Sequence, residues 1–115
     1  MGLPEMTPLQ ALVISILFDG GKSGRDVRDE LAFRGIEMPM PQVYRLLGRA
    51  ELAGHLSAKY CQWQTADGRP VREKFYRVSP QGLDHWQETL AFYDALDRPP
   101  EGFQPVSPEE YLAEP

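Results

Sequence analysis

A chain of 115 residues that is 42% hydrophobic and 25% charged is the size of one domain with one modest core, and its longest apolar run, Ala11 to Phe18, falls far short of the roughly 20 residues of a membrane span. Cys61 stands alone, which excludes an internal disulfide, and with only His55 and His85 as further soft ligands no metal site or cofactor is expected. The net charge of −5 is unevenly spread: the segment from Asp94 onward accounts for all of it, the chain before that is neutral, and residues 39–79 carry seven basic side chains against three acidic ones, a local +4.

The N-terminus, MGLPEMTP, has no basic n-region and leads into no small-residue cleavage site, so a cytoplasmic protein is expected. Thr7-Pro8 is a helix-start signal, with a capping hydroxyl followed by a residue that loses no intrahelical bond at the first position. The first helix then runs to about Phe18, its Leu9, Leu12, Val13, Ile16 and Leu17 falling at helical spacing, and is the expected centre of the core. DGGKSG ends it. A second helix begins near Ser23, places Val27 and Leu31 on one face and closes at Gly35. The prolines of IEMPMPQ make the next connection tight and fix the start of a third helix, from Met40 or Pro41 to Ala53. There Val43, Leu46, Leu47 and Ala50 gather on a core face, leaving Pro41, Arg45, Gly48, Arg49 and Leu52 outside.

After Gly54 the period becomes two. HLSAKYCQWQ reads as a strand with Leu56, Ala58 and Tyr60 on one face and Ser57, Lys59, Cys61 and Trp63 on the other. Asp67-Gly68 marks a turn, and REKFYRV is the returning strand of a hairpin. Ser79-Pro80 starts a fourth helix in which Leu83, Trp86, Leu90 and Tyr93 form one apolar stripe. The last segment, residues 98–115, holds five prolines and reads as an acidic, mobile tail, with one helical turn at SPEEYLAE.

Three helices, a hairpin and a further helix make an α+β, mainly α architecture: a winged helix-turn-helix with a two-stranded β-wing over residues 1–79, a C-terminal helix over 80–97 and the tail over 98–115. An α-helix fits the major groove of B-DNA, about 12 Å wide, while a narrow arginine-bearing turn reaches the neighbouring minor groove or its phosphates. The candidates for those contacts are Gln42, Tyr44, Arg45 and Arg49 on the third helix and Arg69, Arg72 and Lys74 on the wing, with Arg77 behind them.

The segment MPQVYRLLGRAELAGHL resembles the PadR-like transcriptional regulators of bacteria and archaea, whose third helix reads V-Y-x-L-L-x-R-x-E-x-x-G-hydrophobic after a small-residue start. GRPVREKFYRVSPQG is similar to that family's wing, and DGGKSGRDVRDEL fits its opening, so the likeness spans residues 7–93. It implies a homodimer joined through the C-terminal helix by Leu83, Trp86, Leu90 and Tyr93, a palindromic operator on double-stranded DNA, action as a repressor and control by a small aromatic effector. Two places depart from the pattern: Ser23-Gly24-Arg25 lacks the usual aromatic or histidine, and Met38-Pro39-Met40-Pro41 replaces the small polar start of the reading helix.

Simpler readings stand beside these. Arg45 and Arg49 also suit a solvated helix face, the wing cations also protect an edge strand, and the aromatics of the fourth helix also suit ordinary packing. His55 and His85, thirty residues apart, are assigned no chemistry, and with no nucleophile elbow, phosphate loop or metal motif the chain is not expected to be an enzyme. The alternative to a DNA-binding regulator is a winged-helix protein-interaction module that has lost specific DNA binding. A third possibility is that the acidic tail masks the basic face.

Overall fold

The computed structural model describes residues 2–113. Helix α1 (Pro8–Ile16) opens on a reciprocal cap: Gln10 donates its amide to Thr7 Oγ1 at 3.2 Å, and the Thr7 amide donates to Gln10 Oε1 at 2.9 Å. A 3-10 turn, Leu17–Asp19, extends α1 and accounts for the expected end near Phe18. Strand β1 (Lys22–Ser23) and helix α2 (Gly24–Phe33) follow, α2 capped by Ser23 and Asp26 in the same reciprocal way. Helix α3 (Met40–Leu52) starts behind Pro39, whose carbonyl accepts from the amides of Gln42 and Val43 at 3.0 and 3.1 Å.

Strands β2 (Leu56–Gln64) and β3 (Pro70–Val78) form the antiparallel hairpin, in register from Leu56 opposite Val78 to Gln64 opposite Pro70. The sheet is three-stranded, in the order β1-β3-β2, because Lys22 and Ser23 pair with Tyr76 and Phe75. The expected wing was two-stranded; β1 is only two residues long and shows no alternation that periodicity could detect. Helix α4 (Pro80–Asp94) is capped by Ser79, and a short helix α5 (Pro108–Ala113) lies in the tail, where the Glu110 amide donates to Ser107 Oγ at 3.3 Å.

The core joins Val13, Ile14 and Ile16 of α1 to Val27 and Leu31 of α2, Val43 and Leu47 of α3, and Leu56 and Tyr76 of the sheet. Met6, ahead of the first helix, is also fully buried. The helical faces follow most of the apolar spacing of the sequence, as burial of such stripes requires, but on α1 the buried face turns toward Ala11 and Ile14, leaving Leu9 and Leu12 half-buried and Phe18 exposed. Alternation in the hairpin holds only near its base: Leu56 is buried and Ala58 half-buried, whereas Tyr60 on the same face is exposed, because the strands there run past the helical body. No helix among the described residues is long and apolar enough to cross a membrane.

Candidate nucleic-acid interface

Helix α3 is held by its core face, so the direction of its outer face is fixed. Gln42, Arg45, Gly48 and Arg49 all lie exposed on it. Among the described residues neither arginine enters an ion pair, and their i, i+4 spacing places them one turn apart on the same stripe. Tyr44, half exposed, leans instead on the start of α2: a Cβ on Gly24 would meet the Tyr44 ring at 2.7 Å. That contact gives Gly24 its reason, since a side chain there would crowd the Tyr44 ring, while the missing aromatic or histidine beside it has no structural explanation. The other departure has a consequence at the start of α3. Met40 is half-buried against the core and Pro39 supplies no side-chain cap, so the first turn offers DNA no hydroxyl.

The wing is built differently. Its turn closes with Gly68 N–H donating to Thr65 O and Thr65 N–H to Arg69 O, both at 2.9 Å, with Gly68 at φ +83°. The Thr65 hydroxyl also donates to the Asp67 carboxylate, which it holds below the usual carboxylate range, and Arg69 Nε reaches the same carboxylate at 3.1 Å. Arg72 lays its guanidinium over the Tyr60 ring, 4.1 Å from the centroid. Stacking uses the flat face of the cation and leaves its edge donors free. Lys74 points back to the body: its Nζ donates to Glu51 Oε1 of α3 at 2.8 Å, a hydrogen bond that raises the ammonium above its usual pKa. On the other face of the hairpin Arg77 folds over Gly21, and Trp63 and Phe75 pack 6.3 Å apart beside Lys59 and Cys61. The structure thus brings Arg45, Arg49, Arg69 and Arg72 out as exposed cations and ties Lys74 between wing and helix.

Along α4 the four stripe residues divide. Leu83, Leu90 and Tyr93 are about 40% exposed, whereas Trp86 is half-buried, its ring edge-on to Phe18 at 4.7 Å. An apolar groove runs between α1 and α4, lined by Ala11, Leu12, Trp86, Leu90 and Tyr93.

The N-terminal end of α4 is clamped onto the loop after α3. Ser79 Oγ donates to Gly54 O, Ser79 N–H donates to His55 O at 3.0 Å, and a Cβ on Gly82 would fall 2.0 Å from His55 O. Only glycine fits at position 82. One turn further on, the histidines that the sequence left without a role meet: His55 Nε2 and His85 Nδ1 are 2.8 Å apart, and His55 is almost fully buried. Two lone histidines thirty residues apart carry no spacing signal, so only the fold could pair them. Burial holds His55 below its ordinary pKa of 6.5, the neighbouring His85 adds to that, and Glu5 opposes it.

Helix-turn-helix, basic reading face and hairpin together define a winged helix-turn-helix protein. No protein-family model and no curated protein sequence matches the chain. Solved structures do. A PadR-family transcriptional regulator from Eggerthella lenta superposes with a TM-score of 0.64 at 28% identity, over 76% of this chain and 73% of that one. One from Clostridium difficile gives 0.63 at 20% identity, over 78% and 94% of the two chains. Bacillus subtilis PadR, solved in complex with operator DNA, gives 0.58 at 20% identity over 92% of this chain and 56% of that longer one. The chain shares the winged helix-turn-helix fold of these PadR-family regulators.

Proposed function

We propose that this chain is a cytoplasmic DNA-binding transcriptional regulator, a repressor acting as a homodimer on a palindromic site. The observation that carries the reading is the outer face of α3, where Arg45 and Arg49 stand exposed at helical spacing, outside any ion pair among the described residues. Such a pair can meet two phosphates or one base edge and one phosphate along a major groove. Gln42 sits beside them at the start of the helix, Tyr44 fixes the seat of α3, and Arg69 and Arg72 extend the basic surface to the wing. A relative solved on operator DNA supports the same reading.

The exposed Leu83, Leu90 and Tyr93 of α4, with the groove along α1, supply the apolar face for a second copy. In a two-fold dimer that face sets the separation of the two reading helices, which half-sites about one helical turn apart require to be near 34 Å. Control by a small aromatic effector rests on the family resemblance alone. Selection of bound duplexes from a random pool tests the proposal. Enrichment of one palindrome is the expected result, and an unenriched pool from a protein that folds overturns it in favour of the protein-interaction module.

A further inference from the structure

The His55–His85 contact lies at the joint between the reading head and α4. Which ring donates can be settled from burial. If His55 Nε2–H donates to His85 Nδ1, the remaining His55 Nδ1 is a bare lone pair; with the opposite polarity it becomes a buried N–H. That atom has no hydrogen-bond partner among the described residues, and an orphaned N–H is the costlier of the two. The neutral pair therefore has one good arrangement. A proton added at His85 Nδ1 sets two N–H groups against each other. Relief comes only by moving the His55 proton to Nδ1, where nothing accepts it.

The surroundings pull both ways. Glu5, from the segment before α1, favours a proton on His55, and Glu88, one turn along α4, lines the same cavity as His85. Asp84, beside His85 in sequence, is exposed. Burial of His55 and the charge on a second imidazole outweigh Glu5.

We propose that this histidine pair is an acid-sensitive joint: neutral, it fixes α4 to the loop between α3 and the wing, and on taking up a proton it frees α4 to swivel against the reading head. The proposal rests on the reading of the chain as a dimeric DNA binder, because α4 would then hold the two heads at the spacing of the half-sites. The sign follows from linkage. A histidine whose folded pKa lies below 6.5 is protonated first in the loosened or unfolded chain. The joint is therefore at full strength above about pH 6.5 and weakens as the pH falls through that value, until the pH passes the folded pKa.

The test compares the wild type with His55→Gln/His85→Asn. In that variant the glutamine keeps a donor where Nε2 stands, the asparagine keeps an acceptor where Nδ1 stands, and neither binds a proton. Between pH 7.5 and 5.5 the wild-type affinity for the selected duplex is expected to fall, by up to about tenfold per pH unit, the limit for one linked proton, while that of the variant changes much less. The wild-type melting temperature is expected to drop over the same interval relative to the variant. Parallel profiles in both measurements overturn the joint. An NMR titration of wild-type imidazole signals gives an answer even where the variant fails to fold, since a His55 that titrates at or above 6.5 overturns it equally. A protein that binds no duplex at pH 7.5 defeats the DNA reading instead, and the melting and NMR profiles then still decide the joint.

Discussion

On α3 the two arginines are held only by their own helix, their guanidinium groups in solvent; on the hairpin the three cations at Arg69, Arg72 and Lys74 already have company. Arg69 sits on the Asp67 carboxylate, Arg72 on the Tyr60 ring and Lys74 on Glu51. A phosphate must displace or share those partners, whereas at Arg45 and Arg49 it displaces only water. The same residue types, equally basic in composition, thus differ in what they can give a polyanion. Availability follows from the fold: the outer face of α3 lies opposite its core face, where among the described residues no carboxylate pairs with its arginines, while on the hairpin Arg72 meets a ring of the neighbouring strand and Lys74 the body beneath.

The strongest way to break this contrast is to remove the free pair. Arg45→Ala/Arg49→Ala should lower duplex affinity at least about tenfold at about 0.1 M salt and flatten the slope of log affinity against log salt by about 1.8, at about 0.9 per phosphate. Fluorescence anisotropy across a salt series measures both. An unchanged slope means that α3 does not face the backbone.

Next in size is the seat of α3. Gly24→Ala drives a Cβ to within 2.7 Å of the Tyr44 ring, an overpacking of about 1–3 kcal/mol that also tilts the reading helix. Urea denaturation should show the loss, with a several-fold drop in affinity beside it. Gly24→Ala/Tyr44→Ala should recover part of the overpacking penalty, though not the packing of the lost ring. If Gly24→Ala is as stable as the wild type, the ring does not depend on that glycine.

Arg72→Ala probes the middle case. Its stacked guanidinium keeps free edge donors, so removal should flatten the salt slope by about 0.9 and weaken binding about three- to fivefold, less than the α3 pair. Phe in place of Tyr60 should leave the slope alone, because the ring only holds the cation in place. A slope unaltered by Arg72→Ala would confine DNA contact to α3.

Much of this fold was legible because helices announce themselves. Thr7-Pro8, Ser23 with Asp26, and Ser79-Pro80 are caps that work locally, and most of the apolar spacing of α1 and α3 survives into the core, though Leu9, Leu12 and Leu46 are only partly buried. The candidate surface was legible as far as side-chain direction follows from the backbone, which places Arg45 and Arg49 outward together. What lay beyond reach came from contacts between distant segments. Strand β1 exists only because β3 passes beside Lys22, Glu51 reaches Lys74 across 23 positions, and His55 finds His85 because Gly82 lets α4 close onto residue 55. The need for glycine at position 24 shows only once Tyr44 is seen over it, twenty positions further along the chain.

Lys74 gives the smallest effect on DNA and the sharpest test of the contrast, because composition alone ranks it with the arginines. Its ammonium joins wing to helix through Glu51 and lies 5.4 Å from the Tyr76 ring centroid, so Lys74→Ala should cost stability, by no more than about 1 kcal/mol for a half-exposed pair. Duplex affinity should change less than about twofold, with the salt slope of the wild type, since a cation already matched by a carboxylate releases few counterions. The hydrogen bond to Glu51 raises the folded pKa of Lys74 above its ordinary 10.5. Its contribution is therefore complete below that value and lost as the pH climbs through the folded pKa, so wild type and Lys74→Ala should differ in urea midpoint at pH 7 and converge in strong alkali. A slope that flattens in Lys74→Ala as much as in Arg72→Ala would mean that the Glu51 pair opens on DNA, and that the wing lends its cations as freely as the helix does.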